Sequence, residues 1–193
     1  MTISEIAAKV AEIYNQEMAQ GAVARFFALN QIPGKKLNNA IGSYAATGDK
    51  DEYVLYLYDA TDLGSAKDGF LLNNKRLYFK NFGAGGIYIE LANILDFMFK
   101  PALITSTIAV RTDLQVPVWE INIPGINKKD AGKLINVLNN TLAFLKNSST
   151  ASTGNTDQTL AQAQSGRAVV CKSCGANYVT GSKICDYCGA PLQ

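Results

Sequence analysis

Histidine is missing from all 193 residues. That absence removes Ser-His-Asp and Cys-His nucleophilic systems, HExxH metalloproteases and His-bearing facial-triad iron sites together. An excess of charge is missing too. The 18 basic and 16 acidic side chains leave a formal +2, so no global field draws the chain onto nucleic acid or an anionic membrane, and any such binding has to be local. No stretch reaches the roughly 18 consecutive apolar residues that cross a bilayer. The nearest, Pro101 to Val110, is broken by Thr105, Ser106 and Thr107. The opening Met1-Thr2-Ile3-Ser4-Glu5 brings in a carboxylate at once and Lys9 soon after, with no small-residue cleavage pattern behind an apolar segment. It does not read as a signal peptide, and the expected location is the cytoplasm.

Phosphate-binding loops are lacking as well. Gly83-Ala84-Gly85-Gly86-Ile87-Tyr88 begins like a dinucleotide fingerprint but has Tyr88 where the third Gly belongs, and Gly-Lys-Ser/Thr occurs nowhere. A hairpin turn explains that run better. Asp59 and Asp62 are spaced like paired carboxylates, yet Asp-Ala-Thr-Asp after an apolar run is a common turn composition with no partnered acid or base nearby. Chemistry would have to come from Lys, Tyr and carboxylates alone, so the expectation is that the chain is not an enzyme.

What is present is an ordinary globular composition, 48% hydrophobic and 18% charged. Thr2 and Glu5 have capping-box spacing, and Ile3, Ile6, Ala7, Val10, Ile13, Tyr14 and Met18 then recur at helical intervals. A second, shorter helix follows Pro33-Gly34, with Leu37, Ala40, Ile41 and Tyr44 on one face. Residues 1–50 thus read as a helical segment, a hairpin of two helices packing on the core. From about Glu52 the period changes to that of strands: Tyr53 to Tyr58, Gly69 to Leu72, Arg76 to Phe82, Gly86 to Glu90, Leu103 to Arg111 and Val116 to Ile123 are rich in aromatic and β-branched residues. Asn73-Asn74-Lys75 is a hairpin-turn signal, since Asn tolerates positive φ. After Pro124-Gly125, Asn127 caps a last helix whose face is Ala131, Leu134, Ile135, Leu138, Leu142 and Leu145.

The stretch Lys67-Asp68-Gly69-Phe70-Leu71-Leu72-Asn73-Asn74-Lys75-Arg76-Leu77-Tyr78-Phe79-Lys80-Asn81 resembles the signature hairpin of bacterial pleckstrin-homology-like domains, with Asn73 where Thr is usual. The resemblance covers Tyr53 to Lys146, within residues 51–146. It implies an α+β fold: a seven-stranded, strongly bent antiparallel barrel, plugged at one open end by the Ala131 to Leu145 helix. Such a scaffold usually binds partners and seldom catalyses. In pleckstrin-homology domains that bind phosphoinositides, cations near the first hairpins hold the headgroup. Lys67, Lys75, Arg76 and Lys80 are the candidates here, set against Asp59, Asp62 and Asp68 in the same region. A solvated strand face, an anionic lipid site and a peptide groove all stay open.

Residues 147–166 are almost wholly Asn, Ser, Thr, Ala, Gln and Gly, with Asp157 and Leu160 the exceptions. A flexible linker of that length spans about 25 Å. Beyond it, residues 167–193 hold all four cysteines, as Cys171-Lys172-Ser173-Cys174-Gly175 and Cys185-Asp186-Tyr187-Cys188-Gly189. Two residues between thiolates let both sulfurs point into one turn, and the Gly after each second Cys permits a backbone that aims N–H groups at sulfur. Cys171, Cys174, Cys185 and Cys188 make a tetrahedral set suited to structural Zn2+, with no open position for water. Disulfides fit a reducing compartment poorly, and a thioredoxin-like pair would be single. Iron in a rubredoxin-like site stays open, because the same ligands and geometry serve both metals. The Cys-x-x-Cys-Gly-Ala endings at Cys171 to Ala176 and Cys185 to Ala190 resemble short bacterial zinc ribbons, which implies metal binding and leaves the partner unnamed.

Taken together, these readings describe a cytoplasmic binding or adaptor protein with a structural zinc site. Its barrel would engage a protein partner or an anionic lipid headgroup. The alternative is a nucleic-acid-associated zinc-ribbon protein, for which Arg167, Lys172 and Lys183 are few cations.

Overall fold

A computed structural model describes residues 2–47, 51–115 and 118–150, together with strand residues 169–170 and 177–178. The chain divides into two compact units, Met1–Gly154 and Asn155–Gln193. In the first, the order is α1 (Ile3–Met18), β1 (Phe26–Ala28), α2 (Gly34–Ser43), β2 (Val54–Asp59), β3 (Gly69–Asn73), β4 (Arg76–Lys80), β5 (Ile87–Glu90), β6 (Ile94–Lys100), β7 (Thr107–Thr112), β8 (Val118–Asn122) and α3 (Lys128–Thr150). Strands β1 to β5 form one sheet and β6 to β8 another, all neighbours antiparallel. In the second unit, β9 (Val169–Val170) pairs antiparallel with β10 (Asn177–Tyr178).

The helices form where caps and spacing put them. Thr2 Oγ1 accepts from the Glu5 N–H at 3.3 Å while Glu5 Oε2 accepts from the Thr2 N–H at 2.7 Å, so two otherwise unpaired donors are met at the start of α1. Asn127 Oδ1 accepts from the Asp130 N–H at 2.9 Å at the start of α3. Val10, Ile13 and Tyr14 of α1 and Ala131, Leu134, Val137, Leu138, Leu142 and Leu145 of α3 are buried, and the two helices pack on each other. Helix α3 runs on to Thr150, past the start of the polar composition at Asn147.

The five-stranded sheet is covered on both faces. Tyr56, Tyr58, Phe70, Leu72, Leu77 and Phe79 join the core that holds α1 and α3. The alternating residues Leu57, Leu71 and Tyr78 pack instead with Ala40 and Tyr44, at and just after α2. Burial on both sides explains why these strands read as unbroken apolar runs without alternation. It also corrects one expectation: α1 and α2 lie on opposite faces of the sheet and do not form a helical hairpin.

Two strands escaped the sequence pattern, β1 and β6. Strand β6 carries a bulge between Ile94 and Asp96, so its buried residues, Ile94 and Phe97, fall three apart and hide the period of two. The strand expected over Leu103 to Arg111 begins only at Thr107, and Leu103 and Ile104 are exposed loop residues. The expected barrel is, among the described residues, two sheets without a closing ladder. They meet through Phe79 and Trp119, whose rings lie edge-on with centroids 6.1 Å apart.

Asparagine side chains take the place of the missing ladders. Asn81, just past β4, donates to the Glu120 carbonyl and accepts from the Asn122 N–H of β8, both at 2.9 Å. On the other edge of the three-stranded sheet, Asn139 of α3 accepts from the Phe97 N–H and donates to the Phe97 carbonyl, again both at 2.9 Å. Each amide supplies one donor and one acceptor, as a strand residue would, and so covers an edge open to wrong pairing. Asn139→Leu should cost about 1–3 kcal/mol for each Phe97 group left unpaired. An unchanged urea midpoint would remove the clamp from this account.

Candidate functional site

The four candidate cations lie on or beside the β3–β4 hairpin. Its turn is built by Asn73, which is buried and whose Oδ1 accepts from the Lys75 N–H at 2.8 Å and the Arg76 N–H at 2.6 Å. The turn is where the sequence puts it, but for another reason: among the described residues positive φ outside glycine falls at Arg25, Leu29 and Ala66, not at Asn73 or Asn74. The side-chain acceptor matters here. Lys75 and Arg76 stand at the turn, whereas Lys80 pairs across from Gly69 at the opposite end, close in sequence to Lys67. The four residue steps from Arg76 to Lys80 put about 13 Å between the two ends.

The cations are also engaged. Arg76 donates to Glu90 at 2.7 Å and to the almost fully buried Glu52 at 3.0 Å, and its guanidinium lies 5.4 Å from the Tyr88 ring centroid. Lys80 sits 3.3 Å from Asp68 and donates to Ser43 Oγ at 3.1 Å. Lys67 is exposed. The structure therefore does not gather the four into one site.

A different part of the hairpin sheet is built with more care. Asp59, at the end of β2, is wholly buried, and its carboxylate accepts from the Thr61 and Ala66 N–H groups at 3.0 Å each, from the Thr61 hydroxyl and from the Lys36 ammonium. Burial pushes this carboxyl up, but the Lys36, Thr61 and Ala66 bonds outweigh it and hold the group below the usual aspartate range. Lys36 also donates to the Gly64 carbonyl, and Asn39 of α2 donates to the Ser65 carbonyl at 2.7 Å. At Gly69, with φ of +131°, a Cβ would come within 2.0 Å of the Tyr58 carbonyl, so only glycine closes the loop. Asp59 is thus the anchor of the β2–β3 loop, in line with the turn reading of Asp59 to Asp62.

Held from beneath, that loop turns Asp62 and Leu63 outward. Residues of the β2–β3, β4–β5 and β6–β7 loops come together at one end of the sheets, where Asn81 ties the β4–β5 loop to β8. They border a groove of about 440 Å³, lined by Thr61, Asp62, Leu63, Asp68, Phe82 and Thr105 among others. Leu63 and Phe82 are 97% and 90% exposed, and Leu103 and Ile104 on the third loop are as open. The lining includes two carboxylates and no cation. Compared with family models, curated proteins and solved structures, the chain matches none.

The sequence pattern did not single out this groove, because its residues come from three separate loops and the end of β8. The one available signal was large apolar side chains inside turn-forming segments, as in Asp62-Leu63-Gly64-Ser65. Cys171, Cys174, Cys185 and Cys188, and most of the linker, lie outside the described residues. Strands β9 and β10 flank the segment 171–176, which carries the first cysteine pair.

Proposed function

We propose that the chain is a non-enzymatic, cytoplasmic binding protein. Its 1–154 unit engages a protein partner at the loop end, and its tail is held by one structural Zn2+. The observation that carries the reading is the pair Leu63 and Phe82, large apolar side chains kept in solvent beside a groove on an anchored loop. Exposed apolar surface of this kind marks interaction sites. The order of four strands β2–β5, three strands β6–β8 and then α3 supports the pleckstrin-homology-like resemblance. For the metal, four thiolates without histidine suit zinc in a closed site. The ion would supply folding energy there and no chemistry.

Protein is favoured over anionic lipid because the hairpin cations are split between two ends and Arg76 and Lys80 already face carboxylates. In flotation with vesicles of phosphatidylserine and phosphatidylcholine, the full chain should stay unbound at low and physiological salt, and Lys75→Glu with Arg76→Glu should change nothing. Salt-sensitive flotation abolished by that double substitution would make the partner a lipid headgroup instead.

A further inference from the structure

We infer that the loop-end groove takes an extended peptide segment in which a Lys or Arg stands among apolar side chains. The inference rests on the protein-binding reading and names the chemistry of the partner. Three features define the complement. Leu63 and Phe82 line the groove from two different loops, and Leu103 and Ile104, just before the lining residue Thr105 in sequence, are exposed apolar side chains too. Asp62 lines the groove, is exposed and makes no ion pair among the described residues, while Asp68 is met by Lys80. No cation lines the groove, and Lys67 of the same loop lies outside the lining. One open carboxylate, Asp62, beside apolar walls favours a cationic, apolar ligand over phosphate, whether lipid or nucleic acid. The loop is also set before binding: Asp59, Lys36 and Asn39 fix it from below. Less ordering is then required when a ligand arrives.

The test is a selection of phage-displayed random short peptides on the full chain, followed by fluorescence anisotropy of the enriched peptides at low and high salt. Enriched sequences should place Lys or Arg beside apolar residues and bind more weakly as salt rises. Asp62→Lys and Phe82→Ser should each weaken binding about tenfold, and both positions are exposed, so unchanged thermal unfolding checks the fold. Lys67→Glu should leave binding nearly unchanged. A peptide with its cation changed to Glu should recover affinity for the Asp62→Lys variant. Peptides that bind equally well to both groove variants, or that are acidic, would overturn the groove and leave the protein-binding reading standing. No enrichment at all would overturn the inference as well, and vesicle flotation reports separately on the broader reading.

Discussion

Asp59→Ala should destabilise the 1–154 unit by about 3–5 kcal/mol, the range for removing one partner of a buried, hydrogen-bonded ion pair. Asp59 is wholly buried and the Lys36 side chain is 20% exposed, so the stranded ammonium regains little water. The Thr61 and Ala66 N–H groups lose their acceptor at the same time. Asp59→Asn keeps an oxygen for those donors but puts an NH2 group, not an acceptor, against the ammonium, and should cost less. Lys36→Met with Asp59→Leu removes both charges, and only the part of the loss due to the stranded ammonium should be recovered, because the Thr61 and Ala66 N–H groups stay without an acceptor. Trp119, the single tryptophan, reports unfolding in urea. A midpoint for Asp59→Ala equal to that of the parent would show that the loop is not anchored this way.

The same pair gives an acid dependence. Folded Asp59 holds its proton only below the usual aspartate value of 3.8, so near that pH the unfolded chain binds more protons than the folded one. The pair's contribution is therefore present above about pH 3.9 and is lost as pH falls through the lowered folded value. In Asp59→Asn that part of the acid sensitivity should disappear.

Helices α1, α2 and α3 and the β3–β4 hairpin were legible because each is written locally, in caps, spacing and a turn. Strand β1 is three residues long and pairs with β2 across α2, so nothing in its own composition announces it. Strand β6 was hidden by its bulge, and Leu103 and Ile104 were absorbed into a strand because apolar content alone does not say whether a residue is covered. The clamps by Asn81 and Asn139 depend on partners 39 to 42 residues away, beyond any local pattern. The hairpin cations show the limit of sequence proximity. They lie within one short stretch of sequence, yet the strand length separates them and carboxylates from β5 and from the segment before β2 answer Arg76.

The largest expected effect belongs to the proposed zinc site. The apolar side chains of residues 167–193, chiefly Val169, Val170, Tyr178, Val179, Ile184 and Leu192, are far too few for a core that folds alone. A four-thiolate zinc site contributes about 10–16 kcal/mol of apparent free energy at neutral pH. Chelation should therefore render residues 167–193 sensitive to protease while the Trp119 unfolding transition stays where it was. Cys174→Ser should act in the same way, since three thiolates leave the ion open to exchange. The proposed metal-held tail stands or falls with that ion, and elemental analysis of purified, reduced full-length chain addresses it directly. One zinc per chain, removed by chelator together with the tail's protease resistance, is the predicted result. Chain without stoichiometric zinc or iron, or a tail equally resistant after chelation, would contradict it.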